Sequence, residues 1–256
     1  MKLSQIINSP LGLLGLKLVR LSKLKQLQET PLINMADIEA DQRFIKLYEK
    51  IKEFTMVGVE RCYALYKAVD YIIANKIQGD FVECGVWKGG SCMLIALMLK
   101  DAGIDDRKIW LYDTFSGMAE PGKNDGKSEV DEWAKNKISD NENRWCLAEI
   151  AEVEKNMQTT LYPSDKVKLI KGKVEDTIPL NSPNKVALLR LDTDWYESTK
   201  HELVYLYPLV EKNGVLIIDD YGTWEGAKKA VEEYFDAQQE PVYLNRIDFA
   251  GRLIIK

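Results

Sequence analysis

The sequence predicts an α/β fold with a mostly parallel sheet of seven strands, helices on both faces and an antiparallel hairpin at its C-terminal end. Three observations support this prediction. Short apolar runs rich in β-branched residues alternate with helical stretches, which is typical of parallel strands buried on both faces. A Gly-rich turn joins one such run to a helix. Two β-like runs follow each other at the end of the chain, as in a hairpin.

Residues 1–75 are predicted to form an N-terminal helical extension. Positions 35–75 carry apolar side chains at helical spacing, with a break at 54–58 that could face a pocket. The leucines at 11–21 also fall at helical spacing, among lysine and arginine residues. This stretch is too short and too charged to span a membrane, and it lacks a signal-peptide pattern. We expect it to pack on its own domain or on a dimer mate, with a membrane surface or the substrate as alternatives.

Residues 76–256 are predicted to form one domain around the sheet, with a lid insertion at about 117–160. The first strand is Phe81–Cys84, the turn is Gly85–Ser91, and a helix covers Cys92–Lys100. Glycines let a ligand approach the backbone, and free amides at a helix N-terminus favour an anion. The turn matches neither the phosphate loop nor the dinucleotide fingerprint, which weakens both interpretations. A tight connection without a ligand is the simpler alternative.

The second predicted strand, Lys108–Asp113, also ends in an acid. Asp113 lies about twenty residues past the Gly-rich turn, where an acid commonly binds ribose hydroxyls in this architecture. The alternative is a cap of a turn or helix, since Thr114 and Ser116 follow. Asp113 is therefore a candidate ribose ligand.

The segment 117–143 is the most polar part of the chain, and its weak patterning predicts a mobile lid or a binding loop. A disordered insertion is the alternative. Trp133 and Trp145 favour a lid, because their rings need a surface to pack on. The other predicted elements are a helix at 147–160, a strand at 167–172, a turn at 173–179, strands at 186–191 and 215–219, a helix at 224–238, and β-runs at 241–246 and 251–256.

Two of these strands end in pairs of acids. Asp192 and Asp194 follow one strand, and Asp219 and Asp220 follow the next. Because the carboxyl ends of parallel strands meet at one edge, we expect the four carboxylates in one crevice, where they repel each other strongly. A hard divalent cation, magnesium or calcium, would relieve that repulsion. The alternative is that some of these acids are helix N-caps, although a helix start needs one such side chain and each strand supplies two.

The composition is that of an ordinary globular chain, with 256 residues of which 46% are hydrophobic and 29% are charged. The net charge of −5 argues against a nucleic-acid partner. Cys62, Cys84, Cys92 and Cys146 show no Cys-x-x-Cys spacing, which predicts reduced thiols and a cytoplasmic location. The single histidine, His201, lies inside a predicted helix and is expected to be structural.

Four motifs, in order, resemble those of the macrocin O-methyltransferase family, the TylF-like sugar methyltransferases of antibiotic pathways. They are GDFVECGVWKGGSCM at 79–93, YDTFSGM at 112–118, LRLDTDWYEST at 189–199 and GVLIIDDYG at 214–222. The resemblance covers about residues 54–234, and residues 1–35 carry none of these motifs. It implies a Rossmann-like class I methyltransferase that uses S-adenosylmethionine and magnesium to methylate a sugar hydroxyl.

The resemblance also implies roles for individual residues. Those at the methionine end of the cofactor are Thr55, Met56, Glu83, Gly85 and Ser91. Those at its ribose and adenine are Asp113, Ser116, Gly172, Val174 and Glu175. The implied metal ligands are Asp192, Asp219 and Asp220, of which Asp192 also borders the cofactor, and Asp194 matches the general base.

Two rival functions stay open at this point. The first is a metal-dependent catechol-type O-methyltransferase, which would use the same sheet and cation with a planar diol acceptor. The second is a cofactor-binding scaffold that has lost turnover, although the intact acids and Gly-rich loop argue against it. For the enzyme we expect a small-molecule or glycan substrate and a homo-oligomeric state.

Overall fold

The computed structural model describes residues 35–238 and 241–256. The chain divides into two compact units, Met1–Ala40 and Asp41–Lys256. In the first unit, the described residues form helix α1 (Ala36–Ala40). The leucine-rich stretch at 11–21, with the contacts expected of it, lies outside the described residues. All elements below belong to the second unit.

The described part of the second unit contains a sheet of seven strands in the order β5-β2-β1-β6-β7-β9-β8, and a separate pair, β3-β4. Five neighbouring strands run parallel to one another: β5, β2, β1, β6 and β7. Strand β9 is antiparallel to both β7 and β8. This confirms the predicted fold class and its terminal hairpin. The strands are β1 (Asp80–Cys84), β2 (Ile109–Asp113), β3 (Lys137–Ser139), β4 (Glu142–Asn143), β5 (Val167–Lys171), β6 (Val186–Leu191), β7 (Val210–Ile218), β8 (Asn245–Arg246) and β9 (Arg252–Ile255).

Helices cover both faces of the sheet. They are α2 (Gln42–Ile51), α3 (Val59–Ala74), α4 (Gly90–Asp101), α5 (Lys127–Asn136), α6 (Ile150–Gln158), α7 (Val174–Thr177), α8 (Tyr196–Tyr205) and α9 (Glu225–Gln238). Helix α4 is buried over its first ten residues because α2 and α3 pack against it. On the opposite face, Leu189 and Leu216 of the sheet pack with Leu203 of α8 and Val231 of α9. Within the described ranges, no helix is long and apolar enough to cross a bilayer.

Several elements differ from the sequence-based expectation. The polar segment 117–143 contains helix α5 and the β3-β4 pair, with the Trp133 Nε1–H bonded to the Met118 oxygen at 2.9 Å. The turn expected at 173–179 contains α7, and the strand expected at 241–246 is confined to Asn245–Arg246. Strand β7 begins at Val210 instead of 215, because Val210 also pairs with Val186 of β6, before an irregularity in the register.

Candidate active site

A cavity of about 270 Å³ opens at the carboxyl ends of β1, β6 and β7. Ligands bind at this edge in open α/β sheets. Its walls come from the acids at both strand ends, the Gly-rich turn, the segment 55–57 and several aromatic side chains. The four predicted acids, Asp192, Asp194, Asp219 and Asp220, all line it.

Three of these acids form a compact cluster. Carboxylate oxygens of Asp192, Asp194 and Asp220 lie within 4.8 Å of one another. One oxygen, Asp220 Oδ2, is buried and has no hydrogen-bond partner among the described residues. A buried oxygen without a partner is costly unless a ligand satisfies it. The donor set and the unsatisfied atom therefore fit a hard divalent cation.

Asp219 lies in the same cavity but outside this cluster. Its Oδ1 accepts a hydrogen bond from Arg190, and its Oδ2 accepts one from Arg61. Each carboxylate oxygen keeps a second lone pair, so these contacts do not exclude a further ligand. The structure nevertheless separates one of the three implied metal ligands from the other two.

Arg190 is a charged residue inside the apolar strand β6, with 2% of its surface exposed. Its guanidinium contacts Glu83, Asp219 and, at 2.7 Å, Asp192 Oδ2. Glu83 is its neighbour in the β1-β6 register and also accepts a hydrogen bond of 2.9 Å from Cys92 Sγ. Burial raises the pKa of Glu83, and Arg190 counteracts that rise. The role of Arg190 was not predicted from the sequence, although a charged residue inside a fully buried strand indicates ionic partners.

Arg61, at the start of α3, is a second arginine that the sequence analysis did not single out. Besides Asp219, it contacts Asp248, whose Oδ2 lies 3.0 Å from Arg61 Nε. Its guanidinium carbon lies 5.9 Å from the centre of the Phe249 ring. Arg61 thereby joins α3, the end of β7 and the β8-β9 turn. Its position in the sequence resembles any arginine near a helix start and carries no signal for this role.

Burial raises the pKa values of the clustered carboxyl groups. The pKa of Asp194 rises to about 7, although hydrogen bonds from the side chains of Asp220 and Trp224 lower it. The pKa values of Asp192 and Asp220 lie well above the ordinary range, chiefly through burial, and neighbouring acids raise both further. A carboxyl group that titrates near neutrality is suited to accept a proton in catalysis.

Asp113 organises the Gly-rich turn. Its Oδ2 accepts hydrogen bonds from the backbone N–H groups of Val86 at 2.9 Å and Trp87 at 3.1 Å. Its Oδ1 accepts one from Phe115 at 2.8 Å. These contacts correspond to the alternative given for Asp113 from the sequence, in which its side chain caps a turn. Asp113 also lines a cavity, so both roles are compatible with its position.

The residues expected at the cofactor are distributed over adjoining cavities. Thr55, Met56, Glu83 and Ser91 line the cavity of about 270 Å³ that contains the four acids, the acidic cavity. A second cavity of about 60 Å³ shares Asp192 with it and is lined by Gly85, Asp113, Gly172, Val174 and Glu175. Ser116 lines a third cavity of about 410 Å³, which borders the second one at Gly172. The expected residues thus line two cavities that share Asp192, except Ser116, which lines the third cavity.

Two glycines make this arrangement possible. Gly85 has a φ of +81°, and a Cβ there would lie 2.0 Å from the carbonyl oxygen of Asp192. A Cβ on Gly90 would lie 2.6 Å from the Phe54 oxygen and 2.7 Å from Thr55 Cβ. Only glycine permits such close approach. The absence of a side chain at these two positions therefore lets Asp192 and residues 54–55 pack against the Gly-rich turn.

Three tryptophans from distant parts of the chain form one side of the site. The ring centres of Trp145 and Trp195 are 5.7 Å apart, those of Trp195 and Trp224 are 5.8 Å apart, and those of Trp145 and Trp224 are 6.2 Å apart. Trp145 and Trp224 line the acidic cavity. The cavity therefore has an aromatic wall beside its carboxylates.

Comparisons with known proteins identify relatives of this chain. The sequence model of the family described as Macrocin-O-methyltransferase (TylF) matches residues 15–255. Over 195 residues the chain is 34% identical to demethyldecarbamoylnovobiocin O-methyltransferase of Streptomyces niveus, covering 75% of this chain and 72% of the relative. Over 197 residues it is 33% identical to the 8-demethyl-8-(2,3-dimethoxy-alpha-L-rhamnosyl)-tetracenomycin-C 4'-O-methyltransferase of Streptomyces olivaceus, covering 77% and 73%.

Among solved structures, that of the O-methyltransferase NovP superposes with a TM-score of 0.72 at 31% identity, covering 79% of this chain and 82% of that one. This similarity and the strand order confirm the predicted class I methyltransferase fold. The family match extends beyond the four motifs on both sides. The chain belongs to the macrocin O-methyltransferase family and is an S-adenosylmethionine-dependent O-methyltransferase.

Proposed function

We propose that this enzyme methylates a hydroxyl group of a sugar, on a glycosylated natural product or a glycan, with magnesium bound in the acidic cavity. The observation that supports this proposal most is the cluster of three carboxylates, one oxygen of which has no hydrogen-bond partner, beside an aromatic wall. The relative from Streptomyces olivaceus is named for a dimethoxyrhamnosyl compound. A sugar ring, with polarised C–H groups on its face and hydroxyls at its edge, suits a cavity with one aromatic and one carboxylate wall.

In this proposal Asp192, Asp219 and Asp220 hold the magnesium ion, and Asp194 is the general base. When bound, the ion would polarise neighbouring hydroxyl groups and lower their pKa. Asp219 would use a lone pair that its arginine contacts leave free. The clustered geometry also allows Asp194 to be the third ligand, and the two assignments predict different properties for variants at positions 194 and 219.

Asp194 would remove the proton as the acceptor oxygen attacks. The new bond joins that oxygen to the methyl carbon, the bond from this carbon to sulfur breaks, and the sulfur leaves as a neutral thioether. A positively charged sulfonium needs no activation, only in-line placement close to the acceptor oxygen. Burial, which raises the pKa of Asp194 to about 7, matches its basicity to neutral conditions.

The cofactor residues are proposed as two groups that meet at Asp192. The methionine end is assigned to Thr55, Met56, Glu83, Gly85 and Ser91, most of which line the acidic cavity. The ribose and adenine are assigned to Asp113, Gly172, Val174 and Glu175 in the smaller cavity, with Ser116 at its outer border. The position of Asp192, which lines both cavities, supports this division.

The direct test is transfer of a labelled methyl group to a panel of glycosides, sugar nucleotides and catechols. We expect product with glycosides or sugar nucleotides, loss of activity with EDTA and recovery with Mg²⁺. Transfer to catechols alone would favour the catechol-type alternative. Transfer at full rate after removal of metal would contradict the magnesium assignment.

A pair of variants separates base from ligand. Asp194→Asn should lose most of its rate and keep Mg²⁺ affinity, whereas Asp219→Asn should lose Mg²⁺ affinity measured by calorimetry. The reverse pattern would make Asp194 the third ligand. Glu197→Gln is a matched control, because Glu197 is an exposed acid close to Asp194 in sequence.

We further propose a cytoplasmic location, a homo-oligomeric state and a lid function for residues 117–160. The unpaired cysteines Cys62, Cys84, Cys92 and Cys146 support a reducing compartment. Light scattering tests the oligomeric state. Slower hydrogen exchange in 117–160 upon cofactor addition would support the lid, and unchanged exchange would contradict it.

A further inference from the structure

The contact between Arg61 and Asp219 points to a counter-ion that is built into the metal site. We propose that the Arg61 guanidinium competes with the divalent cation for Asp219 and moves towards Asp248 when the cation binds. This inference rests on the magnesium site proposed above. It accounts for the position of Asp219 outside the carboxylate cluster.

The pairing is strong because water barely reaches it. The exposed fraction is 13% for the Arg61 side chain, 4% for that of Asp219 and 6% for that of Asp248. Charges in such surroundings interact far more strongly than surface pairs, because water screens them less. When another cation takes Asp219, Arg61 therefore keeps its contact with Asp248, and Asp219 keeps its contact with Arg190.

Arg61 is positioned to move, whereas Arg190 is not. Arg61 lines the acidic cavity, whereas Arg190 is not among the described residues that line it. The Arg190 guanidinium is enclosed by Glu83, Asp192 and Asp219. A divalent cation between the acids repels both guanidinium groups, and of the two Arg61 is the one that borders the cavity.

Asp248 offers Arg61 a fixed alternative partner. Its Oδ1 accepts hydrogen bonds from the N–H groups of Ala250 at 2.8 Å and Gly251 at 2.6 Å, which anchors the carboxylate in the β8-β9 turn. Its Oδ2 already lies 3.0 Å from Arg61 Nε. A guanidinium that leaves Asp219 thus stays paired and moves only a short distance.

A double-mutant cycle tests this competition with Mg²⁺ alone, by calorimetry on the cofactor-free protein. Arg61→Gln should bind Mg²⁺ about five- to tenfold more tightly than the wild type, because the competitor is gone. Asp248→Asn should bind it more weakly by a similar factor, because Arg61 then stays with Asp219. The asparagine keeps the Oδ1 acceptor of the turn and replaces only the oxygen that faces Arg61.

The decisive variant combines both changes. If Asp248 acts through Arg61, the Asp248→Asn change has no effect in the Arg61→Gln background. Additive effects would mean that both residues act only through their general charge, and they would overturn the proposal. An affinity that Arg61→Gln does not increase would overturn it as well. Absence of Mg²⁺ binding in the wild type and all variants would instead refute the metal site itself.

Arg43→Gln is the matched control. Arg43 pairs with Asp70 of α3 at 2.8 Å, but its side chain is 45% exposed and lies outside the cavity lining. Its loss should leave Mg²⁺ affinity unchanged. For a variant too unstable for titration, the Mg²⁺-dependent rise in melting temperature reports the same change in affinity.

Discussion

The backbone N–H of Tyr196 donates a hydrogen bond of 2.9 Å to Asp125 Oδ1. Tyr196 is the first residue of α8, and the residue before it provides no side-chain cap. Asp125 Oδ2 accepts a second hydrogen bond, of 2.7 Å, from the N–H of Gly122. The polar segment 117–143 therefore supplies the cap of the helix that begins two residues after Asp194.

Asp125→Ala should lower kcat about tenfold and reduce the free energy of unfolding by about 1 kcal/mol, the usual cost of a lost helix cap. The rate falls because the loop that carries Asp194 loses its anchor, and small displacements of catalytic groups are costly. Steady-state kinetics and urea unfolding measure the two effects. Asp131→Ala, an exposed acid in the same segment, is the control. An unchanged kcat would show that the cap serves stability alone.

The protein in EDTA should lose stability as the pH rises from about 4 to about 7. The folded state raises the pKa of Asp194 from an ordinary 3.8 to about 7, so over this range the folded state binds a proton that the unfolded state has released. Unfolding therefore becomes easier with increasing pH. Glu202, whose pKa is also raised by burial, acts in the same direction.

Melting curves across this pH range, with EDTA, check that expectation. Added Mg²⁺ should stabilise the protein more at a pH of about 7.5 than at about 5, because metal and protons compete for the same oxygens. A stability that increases towards neutral pH in EDTA would contradict the raised pKa of these groups.

Arg190→Met should reduce the free energy of unfolding by about 3–5 kcal/mol, because it leaves buried carboxylates without their cation. Arg190→Lys should cost less, since it keeps the charge while losing the forked geometry. Denaturant titration measures both. Arg144→Met removes an exposed arginine and should change stability little. Equal losses of unfolding free energy for Arg190→Met and Arg190→Lys would mean that the site requires the shape of arginine and not its charge.

Gly85→Ala should disrupt the site far more than its backbone conformation alone would cause. Gly103 provides the control, because it has a φ of +70° and a Cβ there would meet nothing within 4 Å, whereas a Cβ on Gly85 would lie 2.0 Å from the Asp192 oxygen. Gly103→Ala should cost about 1–2 kcal/mol, the penalty of a left-handed alanine. Gly85→Ala should exceed that cost in denaturant titration and abolish cofactor binding in calorimetry. Equal penalties for the two variants would contradict the close approach.

The sheet was predictable because its information is local. Apolar runs of the right length mark β1, β2, β6 and β7, and the acids that follow them reach one edge by the geometry of parallel strands. Helix α5 was not predicted, because its sequence is mostly polar and Trp133 is its main buried apolar residue. Short helices in polar segments depend on tertiary packing, which the sequence does not display.

The ionic partners of the site were harder to predict for a different reason. The distance along the chain from Arg61 to Asp219 is 158 residues, and only the folded sheet brings them together. The cap that Asp125 provides to Tyr196 is likewise non-local. The acids in the sequence indicate a charged site. Which of them is already paired with an arginine depends on long-range contacts of the fold. The assignment of Asp219 is therefore the part of the site that most needed a structure.

The clustered indoles of Trp145, Trp195 and Trp224 give the enzyme an intrinsic optical probe. Ring centres 5.7–6.2 Å apart are close enough for excitation to pass between them. Two of the rings border the cavity, so anything that enters it changes their surroundings. Ultraviolet emission from the unlabelled protein should therefore report occupancy by candidate acceptors, one compound at a time, before any product has been identified.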